Sequence, residues 1–216
     1  MNRLNTTSEH EIYEAPMLFD LDELDYYLQS LNEFLRREIK ETKEQKPKEI
    51  SSEEDWNKDH YIDEHIIGLG GVQQILIESA LVAYYSYLER KLSFLCKGLN
   101  PDFNIRLAKG SCDIDKYRKS ILASLSISNN ITLQTEWNKL MKFHLMRKYI
   151  VHANIKEADY ANILYEAKNN NLIWFNPKNK DFSISIEYVK DFSKSIAAFL
   201  LELAHQLFLK ASPYRF

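Results

Sequence analysis

Arg147 and His152 stand five positions apart in a stretch, Leu133 to Asn154, whose apolar residues recur at helical spacing. On a wheel of 100° per residue, Leu133, Trp137, Leu140, Phe143, Ile150 and Val151 fall within about 80° of Arg147. The guanidinium therefore sits in the middle of an apolar stripe. Such a group is almost never buried alone, so either its stem snorkels outward or an anion meets it. Its planar fork of donors suits a phosphoryl group or a carboxylate. His152 lies about 140° round the same wheel, on a face with Met141 and Leu145. An imidazole can take or give a proton near neutral pH. A lone histidine on such a face is ordinarily a hydrogen-bonded core residue; its pairing with a central arginine points instead to catalysis. His144, about 60° from Arg147, adds polarity to the same region.

A carboxylate is available upstream. In the apolar helical pattern from Val72 to Lys97, Glu89 shares a stripe with Val82, Tyr85, Ser86, Leu92, Ser93 and Cys96. A buried carboxylate needs a cation or several donors. Arg147 is the economical partner, and an exposed glutamate at a helix edge is the alternative. Lys139, Lys142 and Lys148 would add sequence-independent attraction for phosphate, or form a solvated face. Tyr84, Tyr85 and Tyr87 are aromatic enough to stack bases, although core packing is the commoner use of such a run.

Other chemistry is weakly signalled. Asp59, His60, Asp63, Glu64 and His65 are metal-ligand residue types, but the two histidines are poorly spaced for one helix face. The string Gly68-Leu69-Gly70-Gly71 lacks the Lys-Ser/Thr and the preceding strand of a phosphate-binding loop. It predicts a helix break or a close helix crossing. No Ser/His/Asp or Cys/His constellation stands out, and the pattern calls for no cofactor and no metal.

The elements that must position these groups are helices. Residues 1–17 read as a loose tail, and Asp20 or Asp22 caps a helix through Leu35. A charged linker at Glu41–Asp59 contains Pro47. A long helical pattern covers about His60–Leu99, and shorter helices follow at Asp113–Leu125, Leu133–Asn154 and Ala158–Lys168. Leu172–Phe175 and Phe182–Ile186 flank a turn-rich spacer and predict a small β-hairpin. A last helix covers Glu187–Lys210. The expected class is all-α: a helical bundle with a small β-hairpin before the C-terminal helix. The expected organisation is an acidic N-terminal arm at 1–58 ahead of a helical domain at 59–216.

Composition bounds the reading. The 216 residues are 45% hydrophobic and 27% charged, enough for a real core. Five glycines and five prolines argue against collagen-like or low-complexity chains. Two cysteines, Cys96 and Cys112, are too few for a disulfide framework, and a reducing cytoplasmic setting is the expectation. No signal peptide is visible, and Ile196–Leu209 is interrupted by Glu202, His205 and Gln206, so no membrane association is expected. The net charge of −3 hides a split, −10 over residues 1–65 and +7 over residues 66–216. The acidic segment is either a solvated arm or a counterpart to a basic body that meets a polyanion.

Two strings resemble a known family. Met146-Arg147-Lys148-Tyr149-Ile150-Val151-His152-Ala153-Asn154 resembles the Arg-x(4–6)-His signature of HEPN domains. Glu78 to Leu92, which ends near Leu88-Glu89, resembles the long helix that precedes it. The resemblance covers about residues 65–210. It implies an all-α fold, a homodimer with a composite active site, and a metal-independent endoribonuclease of toxin–antitoxin, abortive-infection or phage-defence type, with an antitoxin or defence protein as a further partner. Carried onto this chain, Arg147 and His152 would be the catalytic pair, with Glu89, His144, Lys148 and Asn154 in support. Two positions depart from the pattern. Lys148 replaces the polar Asn, Asp or His common after the arginine, and Asn154 replaces the tyrosine of the subgroup modified by nucleotidyltransferases. The competing reading is a non-catalytic HEPN-like module that binds RNA or a protein partner.

Overall fold

The computed structural model describes residues 9–103, 107–109, 112–124, 126–127, 131–152, 157–176 and 181–211. Their order is α1 (Glu9–Glu44), α2 (Glu53–Phe103), α3 (Asp113–Ser124), α4 (Ile131–Val151), α5 (Glu157–Asn169), β1 (Ile173–Asn176), β2 (Asp181–Ile184) and α6 (Ile186–Ala211). The all-α bundle with one hairpin before the last helix is therefore the architecture. The strands pair antiparallel, with Ile173 opposite Ile184 and Phe175 opposite Phe182.

α1 and α2 form an antiparallel pair. Asp20 meets Lys91, Asp25 meets Tyr84, Asn32 meets Gln73, and Lys46 meets both Asp59 and Asp63. The helices are longer than the sequence pattern predicts. α1 is helical from Glu9, so residues 9–17 are not a loose tail, and the linker shrinks to residues 45–52. Ser51 and Ser52 both donate to the Asp55 carboxylate, and the Asp55 amide donates to Ser52 Oγ at 3.1 Å. This serine N-cap starts α2 seven residues earlier than the apolar pattern alone suggests. The expected boundary at residue 58 thus falls inside α2.

The glycine cluster does not break α2. Gly68, Gly70 and Gly71 are helical, and a Cβ built on each meets nothing within 4 Å. Neither the break nor the close crossing is present. The core lies elsewhere, from Ile77 onward, where α2 is covered by α1, α3, α4 and α6. Leu21 and Leu28 of α1 share that core with Leu81, Leu88 and Leu92 of α2, Leu140 of α4, and Phe192, Ile196 and Phe199 of α6. Phe143 stacks on Phe192 at 4.5 Å and lies 4.6 Å from Tyr188, and Trp137 meets Phe199 at 5.6 Å. α4 and α6 therefore run antiparallel. At the centre, the buried Tyr84 hydroxyl donates to Asp25, whose second oxygen accepts from Ser193 Oγ at 2.8 Å. One carboxylate so ties α1, α2 and α6 together.

α3 ends in a hydrogen-bonded cap. The Ser126 amide donates to Ala123 and the Ile127 amide to Leu122, while Ser126 takes a φ of 48°. That is the Schellman pattern, with serine at the left-handed position and Ile127 buried beyond it.

Candidate active site

α4 carries the two candidate residues, and its inner face is set by Leu133, Trp137, Leu140, Phe143 and Met146, all buried. Arg147 lies half-buried one residue past this set. Its guanidinium carbon sits 4.9 Å above the ring of Tyr85 on α2, a cation–π placement. Its Nε is buried and makes no hydrogen bond among the described residues.

The expected Glu89–Arg147 ion pair is not formed. No salt bridge joins them among the described residues. Both side chains instead act on the same phenol. Burial first, then hydrogen bonding to Cys112 and the charge of Glu89, push the Tyr85 hydroxyl well above the ordinary tyrosine range, while Arg147 pulls against the shift. Tyr85 thus stays a neutral platform beneath the Arg147 cation. The Glu89 stripe included Tyr85, but nothing in the spacing signalled that its ring would take the place of the ion pair.

His144 packs beside this group, its ring tilted against Tyr85 at 5.3 Å. Its Nδ1 is buried and unbonded among the described residues. Burial, reinforced by the positive charges of Arg147 and Lys148, lowers its pKa, so the ring is held neutral. His152 follows the last helical residue of α4. Its amide donates to the Lys148 carbonyl at 3.1 Å and its side chain is exposed. It is therefore not a core histidine. Asn154 lies outside the described residues.

The candidate phosphate-binding lysines all have carboxylate partners of their own. Lys139 pairs with Glu136 at 2.7 Å, Lys142 with Glu166 at 3.1 Å, and Lys148 with Asp159. Glu166 and Asp159 lie on α5, so two of these pairs clamp α5 to α4. Nothing in the spacing along α4 signals partners on a later helix. Tyr84, Tyr85 and Tyr87 are all buried and serve packing, not base stacking. Asp59 and Asp63 hold Lys46, His60 stacks on Trp56 and meets Glu64 at 3.4 Å, and no metal-ligating group forms among the described residues.

A second arginine, which the apolar spacing does not single out, is also built into the bundle. Arg118 on α3 is buried, its guanidinium 4.7 Å above Trp137, with contacts to Gln134 and Asp115. It joins α3 to the start of α4 as Arg147 joins the end of α4 to α2. Comparison with protein-family models, curated proteins and solved structures returns no match to this chain.

Proposed function

We propose that the protein is a HEPN-like, metal-independent endoribonuclease that acts in the cytoplasm as a toxin or phage-defence effector. The carrying observation is that the Arg147 guanidinium, held on Tyr85, has no carboxylate partner among the described residues and lies little more than one helical turn from the exposed His152. RNA brings its own nucleophile. The 2′-oxygen attacks the adjacent phosphorus, the bond from phosphorus to the 5′-oxygen breaks, and a 2′,3′-cyclic phosphate and a 5′-hydroxyl result. One His152 imidazole takes the 2′-hydroxyl proton and a second gives a proton to the leaving 5′-oxygen. Arg147 offsets the charge gathering on the phosphoryl oxygens. Arg147 and His152 lie about 140° apart round an ideal helix, so one chain does not readily aim both at one phosphate; two copies of the motif across a two-fold axis can, and a homodimer belongs to the mechanism.

The second reading is a non-catalytic helical module that binds RNA or a protein such as an antitoxin. It is favoured by the pairing of Lys139, Lys142 and Lys148 with carboxylates of the same chain, which lowers the attraction for phosphate. Incubation with single-stranded RNA in EDTA separates the two. The nuclease reading expects cyclic-phosphate ends, lost by about 100-fold or more in His152→Ala with the helical circular dichroism unchanged. Absent cleavage, or cleavage indifferent to that substitution, leaves the binding module.

A further inference from the structure

Before Ile77, α2 leaves the core. Between Glu53 and Leu76 only Ile62 is buried, and it belongs to the side facing α1. A different stripe of the same helix is uncovered. Tyr61, His65, Gly68, Val72, Ile75, Ser79, Val82 and Ser86 alternate at spacings of four and three, the repeat of a coiled-coil seam. All are exposed except Val82, which is half-buried; Tyr61 is 71% exposed, Val72 52% and Ile75 65%. Residues 65–77 contain no Lys, Arg, Asp or Glu, in a chain that is 27% charged.

We infer that this stripe is a docking surface for the same stripe of a second copy, the two α2 helices running antiparallel. A two-fold axis sets a surface against itself, so a stripe carrying charge of one sign would repel its copy and an uncharged one does not. With the axis between Gln73 and Gln74, Val72 meets the partner's Ile75 and Gly68 meets the partner's Ser79. In the same register His65 meets the partner's Val82, and Tyr61 meets the partner's Ser86. Each large side chain at the seam's ends then faces a smaller one. The antiparallel sense also keeps the two bodies apart. One begins at the level of Ile77, and the other occupies levels below residue 70.

Lipid is the other solvent such a stripe suits, since α2 has a window apolar enough to cross a bilayer and only 11% buried. α6 passes the same test of composition, but there Ile196, Phe199, Leu200 and Leu203 are core. Against lipid stands α1. It lies along the other side of this part of α2 and carries Glu33, Arg36, Arg37, Glu38, Lys40 and Glu41, which hydrocarbon would have to accept.

The seam is about 39 Å long on a helix about 10 Å wide, a footprint of about 400 Å² per chain. That is about half of a standard interface, the size of a weak and reversible contact. Because this seam keeps the two bodies apart, it is a contact separate from the composite-site dimer of the ribonuclease reading, and either can fail without the other: association through α2 without cleavage, and cleavage without the α2 contact, are separate results.

The test is sedimentation velocity of the full chain from about 1 to 100 μM. The wild type is expected to pass from monomer to dimer. The double variant Val72→Glu/Ile75→Glu is expected to weaken the dimer at least 100-fold while its circular dichroism and melting stay unchanged, because both side chains are already exposed in the monomer. Ile131→Glu, an exposed apolar residue off the seam, should leave the dimer intact. A wild type that stays monomeric at 100 μM, a double variant that associates as strongly as the wild type, or a wild type that floats with zwitterionic vesicles each overturns it.

Discussion

The body of this protein and its α1–α2 arm are built from the same two helices, yet they obey different rules. In the body, α2 from Ile77 to Cys96 packs against α1, α3, α4 and α6, and Leu81, Leu88 and Leu92 are wholly buried. In the arm, among the described residues, the two helices pack on one another through Ile62, Leu35 and a Gln73–Asn32 hydrogen bond at 2.7 Å. The body buries large aromatics around a shared carboxylate. The arm places glycines in a helix interior, where each costs about 1 kcal/mol relative to alanine, and leaves isoleucines in water. Helix continuity therefore does not report stability: α2 is one helix with a firm half and a soft half.

The comparison breaks most sharply at Phe192. It is fully buried, stacks on Phe143 and meets Tyr84 edge-on at 6.4 Å. Phe192→Ala is expected to cost about 3–5 kcal/mol in chemical denaturation. A loss below 1 kcal/mol would mean the body is packed no better than the arm. Gly70→Ala probes the arm. The glycine lies off the exposed stripe with open space about it, so alanine should gain about 1 kcal/mol of helix stability. Hydrogen exchange of amides near residue 70 should slow, and those near residue 88 should not change.

The smallest expected effect concerns His144. Burial and its cationic neighbours hold its folded pKa below the unfolded one. Its contribution is therefore fully present above the unfolded value and is lost as pH falls through the window beneath it. Thermal melts should decline between about pH 7 and pH 5, and His144→Phe, which keeps a ring against Tyr85, should flatten that slope. An unchanged slope would assign the acid sensitivity to other groups.

The bundle was legible because apolar spacing is local. The Leu133–Trp137–Leu140–Phe143 face is buried as its periodicity requires, and the hairpin lies where the strand-like runs flank Asn176 and Asp181. The candidate site was legible only in part. Arg147, expected in the middle of an apolar stripe, lies at the end of the buried face, because Ile150 is only half-buried and Val151 is exposed, whereas Tyr85 was on the stripe of Glu89. The partners were not legible. Asp159 takes Lys148 and Glu166 takes Lys142 because α5 folds back on α4. The glycine cluster misled because glycine permits a break without requiring one, and the flanking Ile66–Leu69 and Ile75–Ile77 continue the helix.

By itself the order of residues determined which segments become helices, where one hairpin interrupts them, and which side of α4 turns inward, since these follow from side-chain period and backbone preference. Only the tertiary structure decided that Arg147 rests on a ring and not on Glu89, that His152 faces water, and that a long stripe of α2 stays uncovered. Those outcomes depend on where separate helices end against one another, a distance in space that spacing along the chain does not encode.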